Sequence, residues 1–116
     1  MPVSFDEVRR MALALPEARE GTWYGTPGFH VRRKYFLRLR DDGETIVLRI
    51  NFFERGYLLE AEPDAFFIID HYRDYPAVLA RLAALTPARL REHIEDAWRM
   101  VAPKRLVDEF DRRPSG

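Results

Sequence analysis

The chain has no cysteine. That excludes disulfides, thiolate metal sites, iron–sulfur clusters and a cysteine nucleophile, and it fits a reducing cytoplasm. Serine is almost as scarce: Ser4 stands at a helix start and Ser115 near the chain end. No triad spacing, P-loop or dinucleotide fingerprint occurs. Gly21 to Gly28 contains glycines but lacks the strand–loop–helix context of a phosphate cradle. No apolar run approaches the roughly 20 residues of a membrane span. Met1 to Glu7 shows no basic segment followed by an apolar one, so no leader is expected. Net charge is zero, with 19 basic and 19 acidic residues, which argues against a simple polycation.

What is present describes one domain. The 116 residues are 47% apolar and 33% charged, enough for a core without disulfides or metal. We expect a single domain over residues 1–110 and a flexible tail over 111–116. All basic residues except Lys34 and Lys104 are arginine. Their distribution is uneven: residues 26–50 are net basic, 51–76 net acidic and 77–116 net basic.

Local signals place the elements. Ser4 and Glu7 have capping-box spacing, and Phe5, Val8, Met11, Ala12 and Leu15 then share a helical face that Pro16 ends. Glu20–Tyr24 reads as a strand, Gly25–Gly28 as a turn, Phe29–Val31 as a strand and Arg32-Arg33 as a turn. Over Tyr35–Arg40 the period of two puts Tyr35, Leu37 and Leu39 on one face and Phe36, Arg38 and Arg40 on the other. Asp41-Asp42-Gly43 is a hairpin turn returning into Thr45–Ile50. Asn51 caps a short helix, Phe52–Ala61, followed by an extended Ala65–Asp70, a loop at His71–Pro76 and a strand at Ala77–Leu82. Thr86-Pro87 starts a long helix to Val101, with one further helical turn around Leu106, Val107 and Phe110. Short connections favour an antiparallel sheet. The amphipathic N- and C-terminal helices cover one face of it, giving an α+β two-layer sandwich.

Several stretches carry a family pattern. They are Gly25 to Val31, Lys34-Tyr35-Phe36, Glu62 to Phe67, His71 to Leu82, and Ala97-Trp98-Arg99 through Leu106. In this order and spacing they resemble the MmcQ/YjbR-like family over roughly Val3 to Leu106. The resemblance implies a fold similar to CyaY, the bacterial frataxin, with helices on one side of an antiparallel sheet. It also implies DNA binding, since the family is described as having a double-wing DNA-binding motif. Two positions depart from the pattern. Gly28 stands where many members have alanine, and Tyr75-Pro76-Ala77-Val78 where many have tryptophan. The acidic ridge that iron binding by frataxins requires is missing from the first helix, which offers only Asp6 and Glu7.

Three candidate sites emerge. Arg38, Arg40, Arg49 and Arg81 fall at strand positions pointing away from the helices, with Phe36 among them and Arg32, Arg33 and Lys34 at the edge. Guanidinium groups bind phosphates bidentately and an interleaved ring stacks on bases. This set is the expected nucleic-acid surface, making phosphate-dominated contacts with little sequence preference. The alternative for these arginines is a solvated face with each one paired to a carboxylate. A second reading is a protein-interaction or small-ligand module without catalysis. It uses the aromatics near turns, Trp23, Tyr24, Tyr72 and Tyr75, with His71. A third is an enzyme using His71 with Asp70 or Asp74, which requires a concave pocket there. His30, His71 and His93 show no metal-ligand spacing. Taken together, the residues and the resemblance lead us to expect a bacterial, cytoplasmic, non-enzymatic protein. It carries no metal or cofactor, has no membrane association, and is a monomer or weak dimer with DNA as its partner.

Overall fold

The computed structural model describes residues 3–113. Ser4 opens α1 (Phe5–Leu13) through a reciprocal capping box with Glu7, which directs Val8 and Ala12 into the core. Six strands follow in one antiparallel sheet: β1 (Arg19–Trp23), β2 (Thr26–Val31), β3 (Lys34–Leu39), β4 (Thr45–Arg49), β5 (Phe66–Phe67) and β6 (Ala77–Arg81). Their spatial order is β1-β2-β3-β4-β6-β5. Between β4 and β5, Asn51 caps α2 (Phe52–Ala61) by accepting from the Glu54 amide. Thr86 caps α3 (Pro87–Val101), which has proline in its first turn, and α4 (Lys104–Asp111) closes the described chain. This is the α+β two-layer arrangement expected from the sequence.

One face of the sheet packs on the helices. Phe29, Val31, Leu37, Ile46, Leu48, Phe66, Val78 and Ala80 meet Val8 and Ala12 of α1 and Leu90, Ile94, Ala97 and Trp98 of α3. The buried Trp98 indole donates to the Pro16 carbonyl at 3.0 Å, tying α3 to the end of α1 across 82 residues. The opposite, open face carries a smaller cluster of Val47, Ala77, Leu79 and Tyr72, flanked by Phe67 and Tyr75. A single 3₁₀ turn at Asp70–Tyr72 sits in the segment that folds back over this half of the open face.

Three local readings are corrected. The first hairpin turns at Tyr24-Gly25, and Thr26-Pro27-Gly28 already belong to β2, paired with Trp23, Thr22 and Gly21. Both central residues have positive φ, 54° and 79°, as a two-residue hairpin loop requires. The helical segment after Pro103 is a full helix of 8 residues rather than one turn. The alternation along β3 breaks at a bulge: Phe29 pairs with Leu37 but His30 pairs with Tyr35, leaving Phe36 as the extra residue. Phe36 therefore joins the helix-side core at 1% exposure, and Tyr35 takes its place on the open face. Of the expected tail, Asp111 closes α4 and pairs with Arg99, while residues 114–116 lie outside the described residues.

Candidate functional site

Register decides which side chains share the open face. Arg38 pairs with Gly28 on one side and Val47 on the other, and Val47 pairs in turn with Leu79. One pleat further along, the Arg40 amide donates to the Thr45 carbonyl and Thr45 pairs with Arg81. Arg40 and Arg81 thus flank Thr45. On the other side of the Arg38 row, Arg49 pairs with Ala77 and its Nε donates to the Tyr35 carbonyl at 3.3 Å. The four strand arginines form a diagonal track, stepping about 7 Å per two residues along each strand. It runs toward the second hairpin tip, where Arg33 and Lys34 are exposed.

The strand arginines differ in pairing from six cations elsewhere on the molecule. Arg9, Arg32, Arg73, Arg89, Arg99 and Lys104 each have a carboxylate partner. Among the described residues, Arg38, Arg40, Arg49 and Arg81 have none. Three of the four guanidinium groups meet rings: Arg38 lies 5.5 Å from the Tyr24 centroid, Arg49 4.9 Å from Tyr75 and Arg81 4.1 Å from Phe67. Arg81 also donates to the Asp64 carbonyl at 3.2 Å. The carboxylate pairs of the alternative reading are absent at these four positions among the described residues, while Arg81 is exposed and Arg40 and Arg49 are partly so. Arg32 is the exception in the expected set, since it is held by Glu17 at 3.0 Å. That contact raises the Arg32 guanidinium and, chiefly through its hydrogen bond, lowers the Glu17 carboxyl.

The aromatics expected as a separate surface belong to the same one. Tyr24, Trp23, Tyr35 and His30 form a column with centroid separations of 5.4, 5.0 and 4.9 Å. Glycines make room for it. A Cβ at Gly21 would collide with the Tyr35 hydroxyl, and one at Gly28 would lie 3.0 Å from both the Tyr35 ring and the Leu37 carbonyl. Phe36, the ring expected to stack on bases, is buried in the core and cannot reach the face. Tyr35 was missed because only the bulge brings it there.

At one end of the track Tyr24, Arg38, Arg40, Asp41, Ile69, His71 and Tyr72 line a shallow cleft of about 200 Å³. The cleft unites members of both expected sets. His71 is exposed at its rim and packs edge-on against Tyr72 at 4.8 Å. Asp70 turns to Arg73 at 2.6 Å. Among the described residues no group of three His, Asp or Glu side chains is placed to hold a metal ion, and no helix is long and apolar enough to cross a membrane.

One organising residue escaped the sequence reading. Arg55 of α2 is buried without a carboxylate. Its Nη1 donates to the carbonyls of Tyr72, Tyr75 and Ala77 at 3.0, 2.9 and 3.2 Å, and its Nη2 to that of Arg73 at 2.8 Å. It pins the segment that delivers His71, Tyr72 and Tyr75 to the open face.

Comparison with known proteins agrees with this architecture. Two uncharacterised proteins, one from Mycobacterium bovis and one from Mycobacterium tuberculosis, are each 47% identical over 53 residues. The aligned stretch takes in 46% of this chain and 41% of theirs, so the chain spans less than half the length of these relatives. The crystal structure of Deinococcus radiodurans protein DR2400, a DUF419 domain, superposes with a TM-score of 0.76. It covers 97% of this chain and 91% of that one at 17% identity, a likeness of fold. The YjbR family model matches residues 13–100, a span that holds all six strands, α2 and nearly all of α3. The chain belongs to the YjbR family.

Proposed function

We propose that the protein binds nucleic acid through the open face of its sheet, by phosphate contacts rather than base reading, and without a catalytic step. The observation that supports this most is the set of four strand arginines brought onto one face of the sheet, none of which forms a carboxylate ion pair among the described residues. Cations not neutralised by a direct ion pair keep much of their attraction for an external polyanion, with Asp41 and Asp42 opposing it only at the Arg40 end. Arg40, Arg49 and Arg81, which are at least partly accessible, contact phosphates, and Arg33 and Lys34 extend the track at the second hairpin tip. Arg38, only 7% exposed, acts as a fixed charge beneath them. The Tyr24–Trp23 pair takes the stacking role expected of Phe36.

The test is fluorescence anisotropy of labelled duplex and single-stranded DNA across a salt series, with an Arg40→Ala, Arg49→Ala, Arg81→Ala triple variant beside the parent. Binding should fall with a log–log salt slope of about −0.7 to −0.9 per phosphate contacted. The folded triple variant should lose most of the affinity and flatten that slope. No binding at low salt rejects the reading. Association insensitive to salt and abolished by Tyr24→Ala would instead favour an aromatic interaction module.

A further inference from the structure

The cleft at the Tyr24 end of the track is furnished differently from the rest of it. Three elements supply its walls: the first hairpin tip gives Tyr24, β3 and the turn after it give Arg38, Arg40 and Asp41, and the segment around the 3₁₀ turn gives Ile69, His71 and Tyr72. Arg38 lines it at 7% exposure. Among the described residues its guanidinium makes one hydrogen bond, from Nη1 to the Tyr72 hydroxyl at 3.2 Å, and its Nε is buried with no acceptor. Arg55 shows how this fold treats a buried guanidinium it means to satisfy internally, with four carbonyl oxygens around it. Arg38 has no such cage. Its charge and its remaining Nη donors, though not the sealed Nε, are left for something that enters the cleft.

We propose that this cleft receives a phosphomonoester dianion: the terminal phosphate of a nucleic-acid strand, or the same group on a small phosphorylated metabolite. The proposal rests on the reading of the open face as a phosphate-contacting surface, and it names the chemistry at one end of that surface. The donors favour a monoester over a backbone diester. A terminal phosphate presents three unesterified oxygens, enough to engage Arg38, Arg40 and the cleft hydroxyls together, where a diester presents two. The Tyr72 oxygen already accepts from Arg38, so its own proton is free to be donated. Asp41 at the rim opposes any anion, and two guanidinium groups together outweigh it more for a dianion than for a monoanion. The 70% exposed Tyr24 ring, stacked on Trp23, lies beside the cleft where the first base or another planar group would follow the phosphate.

The experiment compares one labelled single-stranded oligonucleotide carrying a 5′-phosphate, a 3′-phosphate or neither, and titrates ribose 5-phosphate separately by isothermal calorimetry. The proteins are the parent, Arg40→Ala and Arg38→Gln, each checked for folding by circular dichroism. One phosphorylated end should bind about tenfold more tightly than the unphosphorylated strand, the size of one charge-assisted contact. That advantage should vanish in Arg40→Ala, which alters a half-buried side chain and should fold even if Arg38→Gln does not. Equal binding of all three strands overturns the cleft proposal and leaves the open-face reading standing. Ribose 5-phosphate binding that depends on Arg40, with no oligonucleotide binding, keeps the cleft, assigns it to a small molecule and rejects the open-face reading. An end preference that survives in Arg40→Ala also overturns the proposal.

Discussion

Arg38 and Tyr72, 34 residues apart in sequence, meet through a 3.2 Å hydrogen bond beneath the open face of the sheet. The bond joins a central strand to the segment folded over it, and it is the one internal hydrogen bond of the buried Arg38 guanidinium among the described residues. Tyr72→Phe keeps the ring against Val47 and Leu79 and removes only the acceptor. We expect a loss of about 1–3 kcal/mol, the cost of stranding a buried charged donor, read from urea unfolding midpoints. An unchanged midpoint would mean that water already satisfies Arg38.

Arg55 should matter more. Arg55→Ala removes the side-chain donor from four carbonyls of the Tyr72–Ala77 segment, leaving those of Tyr72 and Tyr75 their backbone amide partners, and empties the space between α2 and that segment. A loss of about 2–4 kcal/mol is expected. Arg55→Lys should recover only part of it, because a single ammonium cannot reproduce the planar fork that spans all four oxygens. The same variants should loosen the Tyr72–Tyr75 segment, giving faster amide hydrogen exchange there than in α3.

The glycine slot under the aromatic column is open to a spectroscopic test. Gly21→Ala pushes the Tyr35 hydroxyl off the Thr22 carbonyl, which it reaches at 3.3 Å, and so disturbs the ring stacked on Trp23. Trp98 is fully buried and Trp23 half-buried. A Trp98→Phe background therefore leaves Trp23 as the only tryptophan emitter. Its emission should shift and brighten in Gly21→Ala, with stability falling by about 1–3 kcal/mol. Identical spectra would show that Tyr35 steps aside without moving the column.

His93 gives the stability a pH slope. Burial, helped by the Arg89 charge, holds its imidazole below the ordinary 6.5, against the opposing pull of Asp96, Glu62 and Glu92. The unfolded chain therefore takes up this proton before the folded one does. The stabilisation is complete above 6.5 and is lost as pH falls below it toward the folded value. Glu95 works the other way. Burial raises its carboxyl above 4.5, and its contribution is lost as pH rises through the folded value. Unfolding curves from about pH 7.5 to about pH 5.5 should show parent stability falling, with a visibly shallower fall in His93→Gln. Parallel slopes for the two proteins would rule out His93 as the source.

Local chemistry was readable from the sequence and long-range chemistry was not. Asn51 and Thr86-Pro87 announce their helices because a cap acts on amides within three residues of itself. The Asp42 turn is equally local: its carboxylate accepts from the Glu44 and Thr45 amides and the Thr45 hydroxyl, which together outweigh the upward push of burial. Phe36 and Tyr35 were assigned to the wrong faces because the bulge depends on how β2 pairs with β3, and nothing in Tyr35-Phe36-Leu37 alone breaks the alternation. Arg55 was invisible for a different reason. Its partners are backbone carbonyls 17 to 22 residues downstream, and a carbonyl has no letter in the sequence. The arginine track was legible as a set. Its pairing was not, since whether a guanidinium finds a carboxylate or a ring is decided by what folds over it.

Two of the hairpin tips, β1–β2 and β2–β3, share a feature with a mechanical consequence. Each turns on a residue that resists turning, Tyr24 with φ 54° at one end and Arg32 with φ 47° at the other, where asparagine and glycine bend most easily. In both cases the side chain is tethered to a distant element, Tyr24 to Arg38 and Arg32 to Glu17. The tether and the strained backbone oppose each other across each tip. Each of these bends is held by its strand ladder and by one side-chain contact to another element, so the shape of the tip is set in part by a residue outside the hairpin that makes it.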